Sequence, residues 1–243
     1  MKLDVKKALL SPFSEEKWYL KLIFPIFISA CCTLSDGPFH VSKSLTFLIG
    51  LISLIPGIAL SGFFIQFEHN EIHDARPLLP VLKSNFEKYL KYGLWVIFIS
   101  ICYLCIAGVL LLIFSPLYGY VSYLTKGNIL LLILSSIFYL TPFFLLVLSF
   151  GFALSSYADS LDIKDVSDIK RTFRLISKVK LLILGYLLIF AGLTLIYLGI
   201  NAILSISKYT IILSSISWVI LQLININLEA QVYKIAKYRL ENN

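Results

Sequence analysis

The chain has 243 residues, of which 58% are hydrophobic and 14% charged, with a mean hydropathy of +0.87. Soluble domains carry about 45–50% apolar and about 25% charged residues, so a soluble enzyme, a secreted disulfide scaffold and a disordered tail are excluded. The net charge of +7 is clumped between the uncharged runs 44–67, 92–125, 127–158, 181–207 and 209–228. A helix needs about 20 apolar residues to cross a hydrocarbon core of about 30 Å, and each run is long enough.

In chain order, the first apolar stretch is 18–35, interrupted by Lys21 and Pro25. It reads either as a span with lysines snorkelling to the interface or as a helix lying on the membrane. The apolar piece 8–10 is too short for the core of a cleavable signal. Charge asymmetry favours the span. With spans at 18–35, 44–67, 92–118, 128–157, 181–205 and 210–228, one side holds 18 of the 21 Lys and Arg, and the other only Lys43, Lys126 and Lys208. The positive-inside rule then places both termini in the cytoplasm of a cell-membrane protein. The expected fold is an all-α integral membrane protein: a tail 1–17, a six-span domain 18–228 and a C-terminal tail 229–243.

The loops 68–91 and 158–180 resemble one another. Leu79, Leu82, Phe86 and Tyr89 recur at spacings 3, 4 and 3, as do Val166, Ile169, Phe173 and Ile176, and an offset of 87 superimposes the four pairs. Gly62-Phe63 maps onto Gly151-Phe152 at offset 89. These spacings put the residues on one helical face. They predict two cytoplasmic interfacial helices and a duplicated unit covering 44–111 and 128–199. Pro56 and Pro142 lie within corresponding spans. They read first as ordinary membrane-helix prolines and second as hinges or cavity walls.

Three stretches carry a resemblance to a known family. They are Lys7-Ala8 through Ser11-Pro12-Phe13 to Trp18 and Lys21; Gly62-Phe63-Phe64; and Leu79-Pro80 followed by Phe86 and Gly93. In these the sequence resembles the domain-of-unknown-function family 4013, a family of six-span membrane proteins. Gln66 and Val81 depart from its pattern, standing where a basic residue and an aromatic are usual. The resemblance implies a membrane location and a topology, and no activity.

Four groups of residues are candidates for chemistry. His69, Glu71, His73 and Asp74, with Glu68 beside them, have metal-ligand types but not the His-Glu-x-x-His order of a zinc protease. A solvated helix end is the expected reading, with no metal or cofactor. Cys31-Cys32 and Cys102-x-x-Cys105 could suggest redox chemistry, but Cys102 and Cys105 read as packing residues, because a thiolate in mid-span would be poorly solvated. Asn201, Gln222, Asn225 and Asn227 could line a polar cavity or bond across helices; for Asn225 and Asn227 interfacial solvation is expected. Finally, Lys170, Arg171, Arg174 and Lys178, with Ile169, Phe173 and Ile176 as an apolar face, read as a helix in contact with anionic lipid headgroups.

The spans as bounded hold no charge in the interior of the last five, so a proton-coupled pump lacks its carriers. The expected function is non-enzymatic: an accessory or scaffold subunit contacting lipid, a partner membrane protein or itself. The alternative is a channel, facilitator or transporter for a small uncharged or hydrophobic solute. Nucleic acid is not an expected partner, since the charge flanks membrane segments and no recognition motif is present.

Overall fold

The computed structural model describes residues 3–36, 43–82, 85–124, 128–204 and 210–242. Among these residues the only regular structure is helical. The order is α1 (Val5–Leu10), a 3-10 turn (Ser11–Phe13), α2 (Trp18–Asp36), α3 (Lys43–Ile72), α4 (Phe86–Leu124), α5 (Ile129–Ser160), a 3-10 turn (Ile163–Ser167), α6 (Ile169–Lys178), α7 (Lys180–Leu204) and α8 (Thr210–Glu241). By length and composition, four helices among the described residues can cross a membrane: α4, α5, α7 and α8. Their outward faces are apolar, with Leu112 of α4 at 79% exposure and Leu181 of α7 at 87%. Water would penalise such surfaces and hydrocarbon does not. The protein is membrane-embedded.

Local chemistry sets the helix ends. Side chains of Asp4, Asn128 and Asp168 accept from the backbone N–H of Lys7, Leu131 and Arg171, capping α1, α5 and α6. Leu161, in the left-handed region at φ 55°, closes α5 by donating its N–H to the Tyr157 carbonyl at 2.7 Å. No glycine or proline occurs from Thr210 to Glu241, so α8 continues for 32 residues. At about 1.5 Å per residue it is longer than a bilayer core is thick.

α8 packs against α2, α3, α5, α6 and α7, and α3 against α2, α4 and α5. α3 and α4 come into backbone contact at Gly62 and Gly93, where a Cβ would overlap the Tyr89 and Ile58 carbonyl oxygens. Buried residues gather at the end of the bundle that carries the 73–82 stretch, the 161–168 connection and α1. One cluster there joins Phe63, Phe67, Leu79, Leu82 and Leu223, and a second joins Tyr157, Leu175, Val179 and Tyr233.

In the extent and docking of its elements, the structure differs from the sequence expectation in three places. First, Leu79 and Leu82 are not on an interfacial helix: from His73 to Leu82 the chain is turn and coil. Pro77 and Pro80 explain this, because proline lacks the donor N–H and restricts the preceding residue away from helix. Leu79 and Leu82 instead plug the core at 0% and 1% exposure, while Phe86 and Tyr89 open α4. Second, the segment 229–243 is not a free tail, since α8 runs through it to Glu241 with Tyr233 and Ala236 buried. Third, the segment 3–17 is docked through α1: Ala8 is fully buried against Ile224 and Leu228.

Candidate functional site: a polar cavity beneath a buried carboxylate network

Continuation of α3 and α8 past residues 67 and 228 carries Glu68 and Glu229 into the packed region. Glu68 is 3% exposed and Glu229 partly buried, and both line one cavity of about 630 Å³. Gly57, Trp218, Gln222 and Asn225 line the same space. Glu68 Oε1 accepts from Ser155 Oγ of α5 at 2.5 Å. Glu229 Oε1 accepts from Asn225 Nδ2 at 3.3 Å and lies 2.6 Å from the Tyr186 hydroxyl of α7. That hydroxyl also lies 2.9 Å from Asn225 Oδ1, so its one proton goes to one oxygen or the other. Among the described residues no Lys, Arg or His forms an ion pair with either carboxylate. A carboxylate taken out of water without a counter-charge is costly, and it takes up either a proton or a bound cation.

A second layer sits toward the chain termini. Asn227, fully buried, donates to Ser11 Oγ at 3.0 Å and to the Glu71 carboxylate. Gln231 donates to Asn227 Oδ1 at 2.8 Å and receives the Asp4 N–H at 2.7 Å. Lys7 pairs with Glu71 at 3.5 Å, and Lys234 with Asp74 at 2.5 Å. These groups lie beyond the apolar stretch ending at 67. Burial pushes the Glu71 carboxyl up, with Lys7 opposing it. The hydrogen bond from Lys234 holds the Asp74 carboxyl below the usual carboxylate range.

A third group surrounds Asp159. Lys237 reaches it at 2.7 Å, the Tyr233 hydroxyl at 3.1 Å and His73 Nε2 at 3.3 Å. His69 Nδ1 lies 2.6 Å from the Ala158 carbonyl and must be the donor there, since a carbonyl only accepts.

The expected solvated helix end is therefore corrected: Glu68 and Glu71 are buried and the histidines bond to α5. His69 and His73 turn to the Ala158 and Asp159 carbonyls, whereas Glu71 and Asp74 share Lys7, and among the described residues the four do not converge as a ligand set. Asn225 and Asn227 are likewise in the interior, at 9% and 0% exposure. Gln222 lines the cavity; Asn201 Oδ1 on α7 is buried without a hydrogen-bond partner among the described residues. Pro56 stands next to the cavity-lining Gly57. Gln66 donates to Asn70 at 2.8 Å and Val81 is exposed. Cys31, Cys102 and Cys105 are free thiols; the side chain of Cys32 lies outside the described residues.

On α6 the expected apolar stripe is split. Ile176 packs inward with Thr172 and Leu175, whereas Ile169 and Phe173 are exposed. Lys170 and Arg174 are exposed beside them. Arg171 turns to Asp165 at 3.6 Å, and Lys178 is half-buried, its carbonyl accepting from Arg239.

Glu229 is a site residue that the sequence reading misses, since it ends an uncharged run and opens the expected tail. The signal was available: Asn225, Glu229, Tyr233 and Lys237 recur every four residues in a stretch without glycine or proline, a polar stripe on one face of a continuing helix.

A search among curated proteins and a search among solved structures each found no match. The family comparison matched residues 45–224 to the family described as Protein of unknown function (DUF4013), a stretch that takes in the cavity walls of α3, α4, α5 and α7 and, on α8, Ser214, Trp218 and Gln222. The chain belongs to that family.

Proposed function

We propose that the protein is a non-enzymatic, multi-pass carrier or facilitator of the cell membrane whose central cavity takes up a small cationic solute. It crosses six times, through α2, α3, α4, α5, α7 and α8, with both termini in the cytoplasm. The strong excess of Lys and Arg at one end supports that orientation. The shared order of helix, connector and helix in α3–α4 and α5–α7 supports descent from one duplicated unit, although Leu82 is buried and its counterpart Ile169 exposed.

One observation carries the functional reading: Glu68 and Glu229 face a common cavity, and among the described residues no Lys, Arg or His pairs with either. The preference for an accessory subunit rested on spans without charge, and these two positions remove that ground. About 630 Å³ lies within the range of small-molecule sites. Its polar groups sit among aromatic and aliphatic walls, as in sites that orient a ligand by a few polar contacts.

The test is uptake into sealed vesicles holding the purified protein, with labelled methylammonium as the cation and glycerol as a neutral comparison. Methylammonium should enter faster than into protein-free vesicles, and Glu68→Gln or Glu229→Gln should reduce the rate at least tenfold. Glutamine keeps the hydrogen-bonding shape and removes the charge. Vesicles indistinguishable from protein-free ones, or uptake unchanged in both variants, would return the accessory reading to first place.

A further inference from the structure

A second cavity, of about 470 Å³, lies on the outer side of the bundle between α4, α5 and α6. We propose that it is the site of an anionic phospholipid, one acyl chain lying in the groove and the headgroup held by Lys170 and Arg174 of α6.

The groove is lined along α4 from Phe98 to Leu110 and along α5 from Pro142 to Ser149, and Ile169 and Phe173 of α6 close its upper end. From Phe98 to Leu110 at about 1.5 Å per residue is about 18 Å, close to half of a hydrocarbon core of about 30 Å. A groove of that length starting at α6 matches the depth of one leaflet. Its walls are almost wholly apolar, and Pro142 forms part of them rather than of the polar cavity.

α6 explains why the occupant is anionic. One side of the helix, through Thr172, Leu175 and Ile176, is packed into the protein, which fixes its rotation. A second line, Ile169 and Phe173, is 57% and 46% exposed and borders the groove. Lys170 and Arg174, each one position further along the chain and four apart, form a third line next to it and are exposed. Two cations therefore lie on the helix face next to the one that borders the apolar slot. A free anion would satisfy the cations alone and a neutral lipid the slot alone. An anionic phospholipid satisfies both. The site is separate from the Glu68–Glu229 cavity and stands whether or not that cavity carries a solute.

Native mass spectrometry of the full-length protein in mild detergent provides the test, using phosphatidylglycerol and phosphatidylcholine with identical chains. Phosphatidylglycerol should bind at least roughly tenfold more tightly, as expected for two basic residues near an anionic group. Lys170→Gln with Arg174→Gln should abolish that preference; both side chains are exposed, so the fold is not at stake. Ile106→Trp, which fills the groove, should weaken both lipids. Glycerol 3-phosphate should not compete, because it lacks the chain. Equal binding of the two lipids, a preference that survives the double substitution, undiminished binding in Ile106→Trp, or competition by glycerol 3-phosphate would each overturn the proposal.

Discussion

At the scale of single residues, the glycines separate into two kinds. Gly62 and Gly93 hold α3 and α4 at backbone contact, whereas nothing stands within 4 Å of a Cβ placed at Gly151. Gly93→Ala should lower thermal stability in detergent, the overpacking costing about 1–3 kcal/mol or more because carbonyl groups, not side chains, must yield. Gly151→Ala should be neutral or raise it slightly, since alanine is the better helix former by about 0.5–1 kcal/mol. Equal melting shifts for the two would refute the assigned contact. That Gly62 and Gly93 meet was not legible in their sequence neighbourhoods. Gly62-Phe63 and Gly151-Phe152 look alike as dipeptides, and only the position of the partner helix distinguishes them. The stretches that carry the family resemblance also meet in space: Lys21 Nζ donates to the Leu79 carbonyl at 3.1 Å, and Glu15 accepts from the Leu78 and Leu79 N–H groups.

At the scale of elements, α6 is held by packing more than by charge. Leu175 is fully buried against α5 and α8. Leu175→Ala should destabilise by about 2–5 kcal/mol and should release α6 first, because α6 is short and its neighbours are long. Faster tryptic cleavage within Ile169–Lys178 is the measurement; Arg174→Gln in detergent should leave the rate at the remaining sites unchanged. If Leu175→Ala cleaves no faster than the native chain, α6 is not anchored through that face. The 3- and 4-residue periodicity of this segment made its helix legible from sequence. The same periodicity misled at Leu79 and Leu82, where Pro77 and Pro80 keep the chain out of α-helix, and apolar spacing persists because these two leucines plug the core.

At the scale of the whole molecule, the charge asymmetry makes the topology testable. In a cysteine-free background, Lys126→Cys and Lys208→Cys should react with a membrane-impermeant maleimide on intact cells. Lys164→Cys should react only after permeabilisation. Labelling of Lys164→Cys from outside, with protection of the other two, would invert the orientation. The three polar layers all lie at the end bearing Lys164, so this experiment also fixes which side the carboxylate network faces.

The sequence by itself determined that the chain is helical, membrane-embedded and asymmetric in charge. Those properties are sums over local stretches: twenty apolar residues make a span wherever they fall, and a lysine counts toward a loop without reference to its neighbours. Only the tertiary structure decided that Glu68, Glu71, Asn225, Asn227 and Glu229 are interior groups. Their partners are far away in the chain, Ser155 lying 87 residues from Glu68 and Asn227 lying 156 from Glu71. Whether a glutamate at the end of an apolar run meets water or another helix depends on the rotation of its helix and on what packs beside it. Here α8, unbroken through residue 241, and the docked α1 cover that end of the bundle. A boundary drawn at the first charged residue therefore fell short of the helices, and the polar groups that belong to the site lay just beyond it.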